Sequence, residues 1–168
     1  AEYEKCGRIM HTFIQLPSGE EGVCCVMSMR KEFVEEHPQL ARKMIIAHSL
    51  AIQLIYTHPL RAAEIFAQNY DVPLEVGLMT IFKKTTLEGR TLAWDPHAPG
   101  FQRKADHYVG IGYVEAMPNM KELVNTSVYD QAGAEDFARF LREKVDPVFP
   151  LGMPYEDWKR KAYEVEGR

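Results

Sequence analysis

Apolar residues recur along most of the chain at helical spacing. The clearest stripe lies in "HPQLARKMIIAHSLAIQLIY", with apolar positions four, three, four and three residues apart: Leu40, Met44, Ala47, Ala51 and Leu54. Because Ile45, Ile52 and Ile55 widen this stripe, the pattern predicts a helix that is largely buried. Pro38 suits the first position of that helix, where its missing N–H would have had no partner anyway.

The same pattern predicts several more helices. Pro59 suits the start of a second helix with Ala63, Phe66 and Ala67 facing inward, and Pro73 the start of a third. Helical spacing then recurs in three later segments, which are "FQRKADHYVGIGYVEAM", "GAEDFARFLREKV" and "PYEDWKRKAYEV". The second of these has acidic residues in its first turn and basic residues in its last, as the helix dipole favours.

Two segments are typical of strands. "VCCVMSM", residues 23–29, is apolar on both alternating faces, which predicts a strand buried on both sides. "GRIMHTFIQL" alternates loosely and predicts a short strand that ends at the turn "PSGEEG". The whole pattern therefore predicts one to three strands and about six helices.

Composition narrows the class of protein. The 168 residues are 46% hydrophobic and 26% charged, with a formal net charge of −4, which suits an ordinary globular domain with its own core. No basic cluster is present, so we expect no nucleic-acid partner. No run of about 18 apolar residues is present either, so the sequence predicts no membrane-spanning helix.

Cys24 and Cys25 admit four interpretations: metal ligands, a catalytic thiol, a disulfide, or part of a buried strand. Adjacent side chains on a strand point to opposite faces, so the two thiols do not bind one metal from regular geometry. A disulfide between adjacent cysteines is strained. Free cysteine is often buried, so the pattern favours the strand, from whose start one thiol could still reach a ligand cleft.

The remaining candidate groups give weaker signals. His37 and His58 precede prolines at helix starts and His48 lies on an apolar helix face, which favours structural roles over metal binding. "GIGY" lacks the context of a dinucleotide-binding loop. In "LAWDPH", Trp94 could line a ligand site or could hold the loop against the core. We take Cys24, Cys25 and Trp94 as candidate ligand-binding residues, and expect no catalytic residue, metal or cofactor.

The order of these segments resembles a known family. "GVCCVMSMRKEFVEEHPQLARKMIIAHSLAIQLIYTHPLRAAEIFAQNY" has an apolar strand, a Glu-Phe step, a His-Pro helix start and a second Pro-started helix. "LAWDPHAPGFQRKADHYVGIGYVEAMPNMKELVNTSVYDQA" follows with a Gly-aromatic turn and a Leu-Val step. Both resemble the C-terminal half of substrate-binding proteins of nitrate, sulfonate and taurine ABC transporters.

This resemblance implies a helix-rich α/β chain, forming part of a type II periplasmic-binding lobe with few strands. It divides the chain into residues 1–132, the C-terminal part of a substrate-binding domain, and 133–168, a helical extension. It implies that the N-terminal part of the domain is missing from the chain. It also implies an extracytoplasmic, non-enzymatic protein that binds a small molecule and works with an ABC permease, with possible self-association through an exposed sheet edge.

Two further implications concern the ligand and the rival functions. The lysine that contacts the anion in the nitrate-binding branch would fall at or beside Cys25, where no lysine is present, so the ligand is expected to be neutral or less charged. A related branch makes the pyrimidine precursor of thiamine and carries a cysteine-rich run in this region. An enzyme of that branch, or a ligand-sensing domain of the same fold, is the alternative function.

Overall fold

The computed structural model of the chain describes residues 3–7 and 23–168. Within these residues the regular elements are all helical. Their bounds are α1 Lys31–Glu36, α2 Pro38–Thr57, α3 Pro59–Tyr70, α4 Leu74–Phe82, α5 Ala98–Gly110, α6 Met120–Leu123, α7 Ser127–Ala132, α8 Phe137–Phe140 and α9 Tyr155–Val165. Two helices continue directly into π-helical turns, α4 into π1 (Lys83–Leu87) and α8 into π2 (Leu141–Val145).

The predicted α/β fold with few strands is wrong, because no strand occurs in residues 3–7 and 23–168. Residues 23–29, predicted as a buried strand, have no regular secondary structure and are mostly exposed. A strand is stable only when its backbone N–H and C=O groups pair with a neighbouring strand, and the described residues offer none. The second predicted strand, "GRIMHTFIQL", lies outside the described residues from position 8 onward.

The chain forms two compact units. The first unit combines Ala1–Ala41 with Pro96–Gln131, and the second combines Arg42–Asp95 with Ala132–Arg168. The predicted division into residues 1–132 and 133–168 stays a prediction.

The second unit holds almost all of the buried apolar side chains among the described residues, Ala41 being the exception. The largest fully buried ones come from α2, α3, α4, α8, π2 and α9, and include Trp158, Tyr56, Phe140, Leu60, Leu78 and Val145. The helices α3 and α4 contact each other closely, and α9 packs against both. The ring of Phe82 lies 5.4 Å from that of Trp158, edge to face, so aromatic contacts join α4 to α9.

One glycine sets the distance between α3 and α4. A Cβ atom at Gly77 would lie 2.5 Å from the backbone oxygen of Ala63. Ala63 itself is fully buried. Because only glycine fits at this crossing, the two helices approach more closely than larger residues would permit.

The face of α2 that is buried differs from the predicted one. The stripe that we predicted to face the core is exposed along its whole length, at Leu40, Met44, Ala47, Ala51 and Leu54. The opposite side of the helix is buried instead, through Ser49, Ile52 and Tyr56. Both sides of α2 are apolar, so periodicity alone does not choose between them. The aromatic contacts of Tyr56 with Phe137 and Phe140 make the choice.

Among its described residues, the first unit has fewer buried side chains than the second. Gly100, in the first turn of α5, is buried against the ring of His97, and a Cβ atom there would lie 2.3 Å from His97 Cδ2. Near the end of α5, the rings of Tyr108 and Tyr113 lie 5.2 Å apart. Asn119 caps α6, since its side chain accepts a hydrogen bond from Lys121 N.

Among the helices that the structure describes, none has the length and apolar composition needed to cross a bilayer.

Candidate functional site

Trp94 lies in the loop between π1 and α5 and is buried, with 5% of its surface exposed. Its indole Nε1 donates a hydrogen bond to the backbone oxygen of Glu135 at 2.8 Å. Its ring meets Phe137 at 4.8 Å and Phe140 at 5.1 Å, edge to face in both cases. These contacts hold the loop against α8. Holding the loop against the core was one of the two roles that the sequence suggested for Trp94.

Arg90, in the same loop, is the centre of the most developed polar cluster in the second unit. Its guanidinium donates hydrogen bonds to the backbone oxygens of Thr85 at 2.5 Å and Phe149 at 2.7 Å, and it pairs with Asp146 at 2.5 Å. The Arg90 side chain is 9% exposed and its carbon Cζ lies 5.7 Å from the centre of the Tyr56 ring. Arg90 therefore links three segments that are distant in sequence.

The partners of Arg90 adjoin both π-helical turns. Thr85 belongs to π1, and Asp146 directly follows π2. A π-helical turn shifts the backbone out of the regular α-helical hydrogen-bonding pattern. The fork of N–H groups on a guanidinium suits carbonyl and carboxylate oxygens presented in this way. One donor, Arg90 Nε, is buried without a hydrogen-bond partner in the described part of the chain.

Tyr56 completes the Arg90 cluster. Its hydroxyl donates a hydrogen bond to the backbone oxygen of Leu92 at 2.9 Å. Burial raises the pKa of Tyr56 well above its ordinary value, although the nearby Arg90 charge acts in the opposite direction. The phenol is therefore neutral at physiological pH and serves as a donor to the loop that carries Arg90.

A second polar cluster joins α4 to α9. Tyr155 Oη donates a hydrogen bond to Glu75 Oε1 at 2.6 Å, and Lys159 Nζ donates one to Glu75 Oε2 at 2.5 Å. Burial alone would raise the pKa of Glu75, but the hydrogen bonds from Lys159 and Tyr155 outweigh burial and lower it. The hydrogen bond to Glu75 is the main cause that raises the pKa of Lys159. The pKa of Tyr155 is raised mainly by burial and, to a smaller extent, by the hydrogen bond to the same carboxylate. Each group thus keeps its usual charge at neutral pH.

The outer side of α9 borders an open depression of about 420 Å³. It is lined by residues of both charge signs: Glu156, Lys159, Arg160, Tyr163, Glu164 and Arg168. Its three basic side chains are already paired, Lys159 with Glu75, Arg160 with Asp157 and Arg168 with Glu64. The depression therefore offers no excess of one charge to attract an ionic ligand.

Cys24 and Cys25 lie in the first unit and are both exposed. Their Sγ atoms are 3.4 Å apart. The structure thus brings the two thiols together and places Trp94 in the other unit. The expectation that the cysteines begin a buried strand is wrong, because their segment has no strand partner among the described residues and faces solvent.

His37 and His58 directly precede the first residues of α2 and α3, as the sequence predicted. The backbone oxygen of His37 accepts a hydrogen bond from Ala41 N, and that of His58 accepts one from Ala62 N, both at 3.0 Å. In the described ranges, no group of three His, Cys, Asp or Glu side chains is arranged to hold a metal ion.

Comparison of the chain with models of protein families, with curated proteins and with solved structures yields no match.

Sequence reasoning did not find the two polar clusters. Arg90 lies in a loop rich in glycine and proline, where no periodicity indicates a partner. Tyr155 and Lys159 are four residues apart and therefore share one face of α9. Their common partner Glu75 is separated from them by 80 and 84 residues in the chain. Only the packing of α4 against α9 brings the three groups together.

Proposed function

We propose that the chain is a non-catalytic component that binds a small organic molecule for an ABC importer and works with its permease outside the cytoplasmic membrane. The proposal rests on the resemblance of residues 22–70 and 92–132 to substrate-binding proteins. It does not include the two-lobed α/β fold, which the described residues do not form.

The observation that carries the proposal is the order of proline-started helices. The helix α2 begins at Pro38, α3 begins at Pro59, and α4 begins at Leu74 directly after Pro73. The resemblance depends on the first two of these starts, at Pro38 and Pro59, following one another in this order. Their positions in the structure support the segment order on which the resemblance rests.

Cys24 and Cys25 are the proposed ligand contacts. Both thiols are exposed and adjacent, so a ligand can reach them without any rearrangement of a core. No lysine is present within residues 6–30, which favours a neutral or weakly charged ligand over nitrate. Trp94 remains a predicted contact, although its indole N–H is already engaged by Glu135.

A thermal-shift screen of the 168-residue chain tests the proposal. The probes are a hydroxymethyl-pyrimidine, taurine, an alkyl sulfonate and an aromatic carboxylic acid, each at about 1 mM. A ligand present at 100 times its Kd stabilises the folded state by about 2.7 kcal/mol. We expect at least one probe to raise the Tm, and a chain that none of them stabilises contradicts the proposal.

Matched variants locate the site. Replacing both Cys24 and Cys25 with serine is expected to abolish the ligand-induced shift while leaving the Tm of the unliganded chain nearly unchanged, since both thiols are exposed. Cys6→Ser is the control, because Cys6 is also exposed but lies outside residues 22–70 and 92–132, whose motifs define the resemblance. If both variants lose binding equally, or if neither loses it, Cys24 and Cys25 are not the ligand contacts.

A further inference from the structure

The thiols of Cys24 and Cys25 lie side by side, which the sequence did not predict. On a strand, adjacent side chains point to opposite faces, and the two sulfur atoms would be held apart. Residues 23–29 form no strand, and the two Sγ atoms are 3.4 Å from each other. Because the residues are neighbours in the chain, this distance is set by the conformation of one dipeptide. The reason for excluding a ligand bound by both thiols therefore no longer holds.

The backbone that leads into the thiol pair is held against α5. Val23 directly precedes the pair, and a Cβ atom at Gly100 would lie 3.0 Å from Val23 Cγ1. Gly100 is buried in the first turn of α5, and both residues belong to the first unit. The packing of Val23 thus fixes the start of the pair within its own unit, while Cys24 and Cys25 are exposed to solvent.

The geometry of the pair restricts the ligands that it can hold. A direct disulfide would draw the sulfur atoms to about 2.05 Å and strain the ring that adjacent cysteines form. A structural zinc ion takes four ligands, and within residues 3–7 and 23–168 no group of three His, Cys, Asp or Glu side chains could hold a metal ion. The suitable ligand is therefore a soft atom that needs only two thiolates. Trivalent arsenic with one organic group has two such positions, and as a bridging atom it enlarges the ring and leaves the sulfur atoms apart.

We propose that Cys24 and Cys25 form a two-thiol site for a trivalent arsenical that carries one organic group. With an organic arsine oxide, each sulfur forms a bond to arsenic, both S–H bonds break, and the oxygen leaves as water with the two hydrogens. Arsenic stays trivalent and neither sulfur is oxidised. The second bond forms within the same molecule, so a high effective concentration favours it. This inference does not depend on the proposed ligand-binding function.

Thiol titration of the reduced full chain with phenylarsine oxide tests the site. The chain has three cysteines. After one equivalent of phenylarsine oxide, we expect only Cys6 to react with a chromogenic disulfide reagent, and mass spectrometry to show one added phenylarsenic group. Excess ethanedithiol is expected to restore all three thiols. Glutathione at the same thiol concentration is not, because a monothiol has to displace two linked bonds one at a time.

Matched variants test whether the adjacent pair is the site. Cys24→Ser and Cys25→Ser are each expected to weaken binding by about 100-fold or more, because only one bond to the chain remains, whereas Cys6→Ser should bind like the unaltered chain. The double variant Cys25→Ser/Ser28→Cys keeps three thiols and moves one of them to another exposed position in the same segment. It is expected to bind about tenfold more weakly or worse, because its thiols are no longer adjacent.

Three results overturn the inference. The first is an unaltered chain that keeps three reactive thiols after one equivalent of phenylarsine oxide. The second is equal binding by Cys25→Ser/Ser28→Cys, which shows that the adjacent arrangement is not what binds. The third is loss of binding in Cys6→Ser, which assigns the arsenical to a bridge with Cys6. Each result leaves the proposed ligand-binding function untouched, since that function is read from the Tm shift caused by the organic probes.

Discussion

Arg90 shows how one side chain can hold together segments that are remote in sequence. Its bonds to Thr85, Asp146 and Phe149 join π1 to the segment that directly follows π2. Arg90 Nε, buried with no hydrogen-bond partner among the residues that the structure describes, subtracts from the stabilisation that the cluster provides.

We expect Arg90→Lys to destabilise the protein by about 2–4 kcal/mol, because a single ammonium cannot reach the three acceptors that the guanidinium bonds and leaves buried carbonyls unpaired. Urea unfolding followed by circular dichroism measures the loss. Arg160→Lys is the control, since Arg160 is 67% exposed and its ion pairs within residues 3–7 and 23–168 are with neighbours on α9, and it should change stability by less than about 0.5 kcal/mol. Equal effects in the two variants would show that the Arg90 cluster contributes little.

Glu75 makes the stability of the α4–α9 contact depend on pH. Because its pKa in the folded protein is lowered from an ordinary value of 4.5, its contribution is fully present above that value. The contribution is lost as the pH falls through the lower folded pKa, where the carboxylate is protonated in both states.

The variant Glu75→Gln should therefore be less stable than the unaltered chain by about 1 kcal/mol at pH 7, a figure reduced for partial exposure of the pair. The difference should shrink below about pH 4.5 and vanish at lower pH. Thermal unfolding at a series of pH values measures this convergence. Glu164→Gln, on the exposed side of α9, is the control and should show a small difference throughout. A difference for Glu75→Gln that is the same at every pH would assign the effect to packing alone.

At the scale of elements, the packing of α3 against α4 depends on the absence of a side chain at Gly77. The backbone oxygen of Ala63 occupies the position that a Cβ atom would need. Backbone atoms of a buried helix cannot move aside as a flexible side chain can. The two helices would have to separate to admit even a methyl group.

We expect Gly77→Ala to destabilise the protein by about 1–3 kcal/mol through this overpacking. Gly110→Ala is the matched change at the end of α5, where nothing lies within 4 Å of the added Cβ atom. It should be neutral or stabilise by up to about 1 kcal/mol, because alanine favours helix more than glycine does. Differential scanning calorimetry of both variants gives the comparison, and a stable Gly77→Ala variant would contradict the close approach of α3 and α4.

At the scale of the whole molecule, the cysteines distinguish the observed fold from the α/β fold that the sequence predicted. A buried strand at residues 23–29 would protect at least one of its thiols from reagents. In the structure Cys6, Cys24 and Cys25 are all exposed.

All three thiols should therefore react with a chromogenic disulfide reagent in the native state, at rates within about tenfold of those in the urea-unfolded chain. Stopped-flow or manual mixing on variants that each retain one cysteine measures the individual rates. Protection of Cys24 or Cys25 by several orders of magnitude would restore the predicted buried strand.

Much of the helical content followed from local features of the sequence. Pro38 and Pro59 are the first residues of α2 and α3, because a proline removes a hydrogen-bond donor that has no acceptor at a helix start. The last two predicted segments do form helices, and Phe140, Val145, Trp158 and Ala162 from their apolar stripes are buried, whereas Val165 at the end of α9 is exposed. Such features act over one or two turns and need no information about the rest of the chain.

Tertiary packing alone decided the remainder. Residues 23–29 have the composition of a strand but no strand partner in the described part of the chain, and a strand's hydrogen bonds come from its neighbours. The helix α2 has two apolar sides, and Tyr56 rather than the stripe through Met44 is buried, because α8 supplies aromatic rings on that side. Arg90 and Glu75 acquire their partners from distant segments. These outcomes depend on contacts across the fold, which a local pattern of apolar and polar residues does not specify.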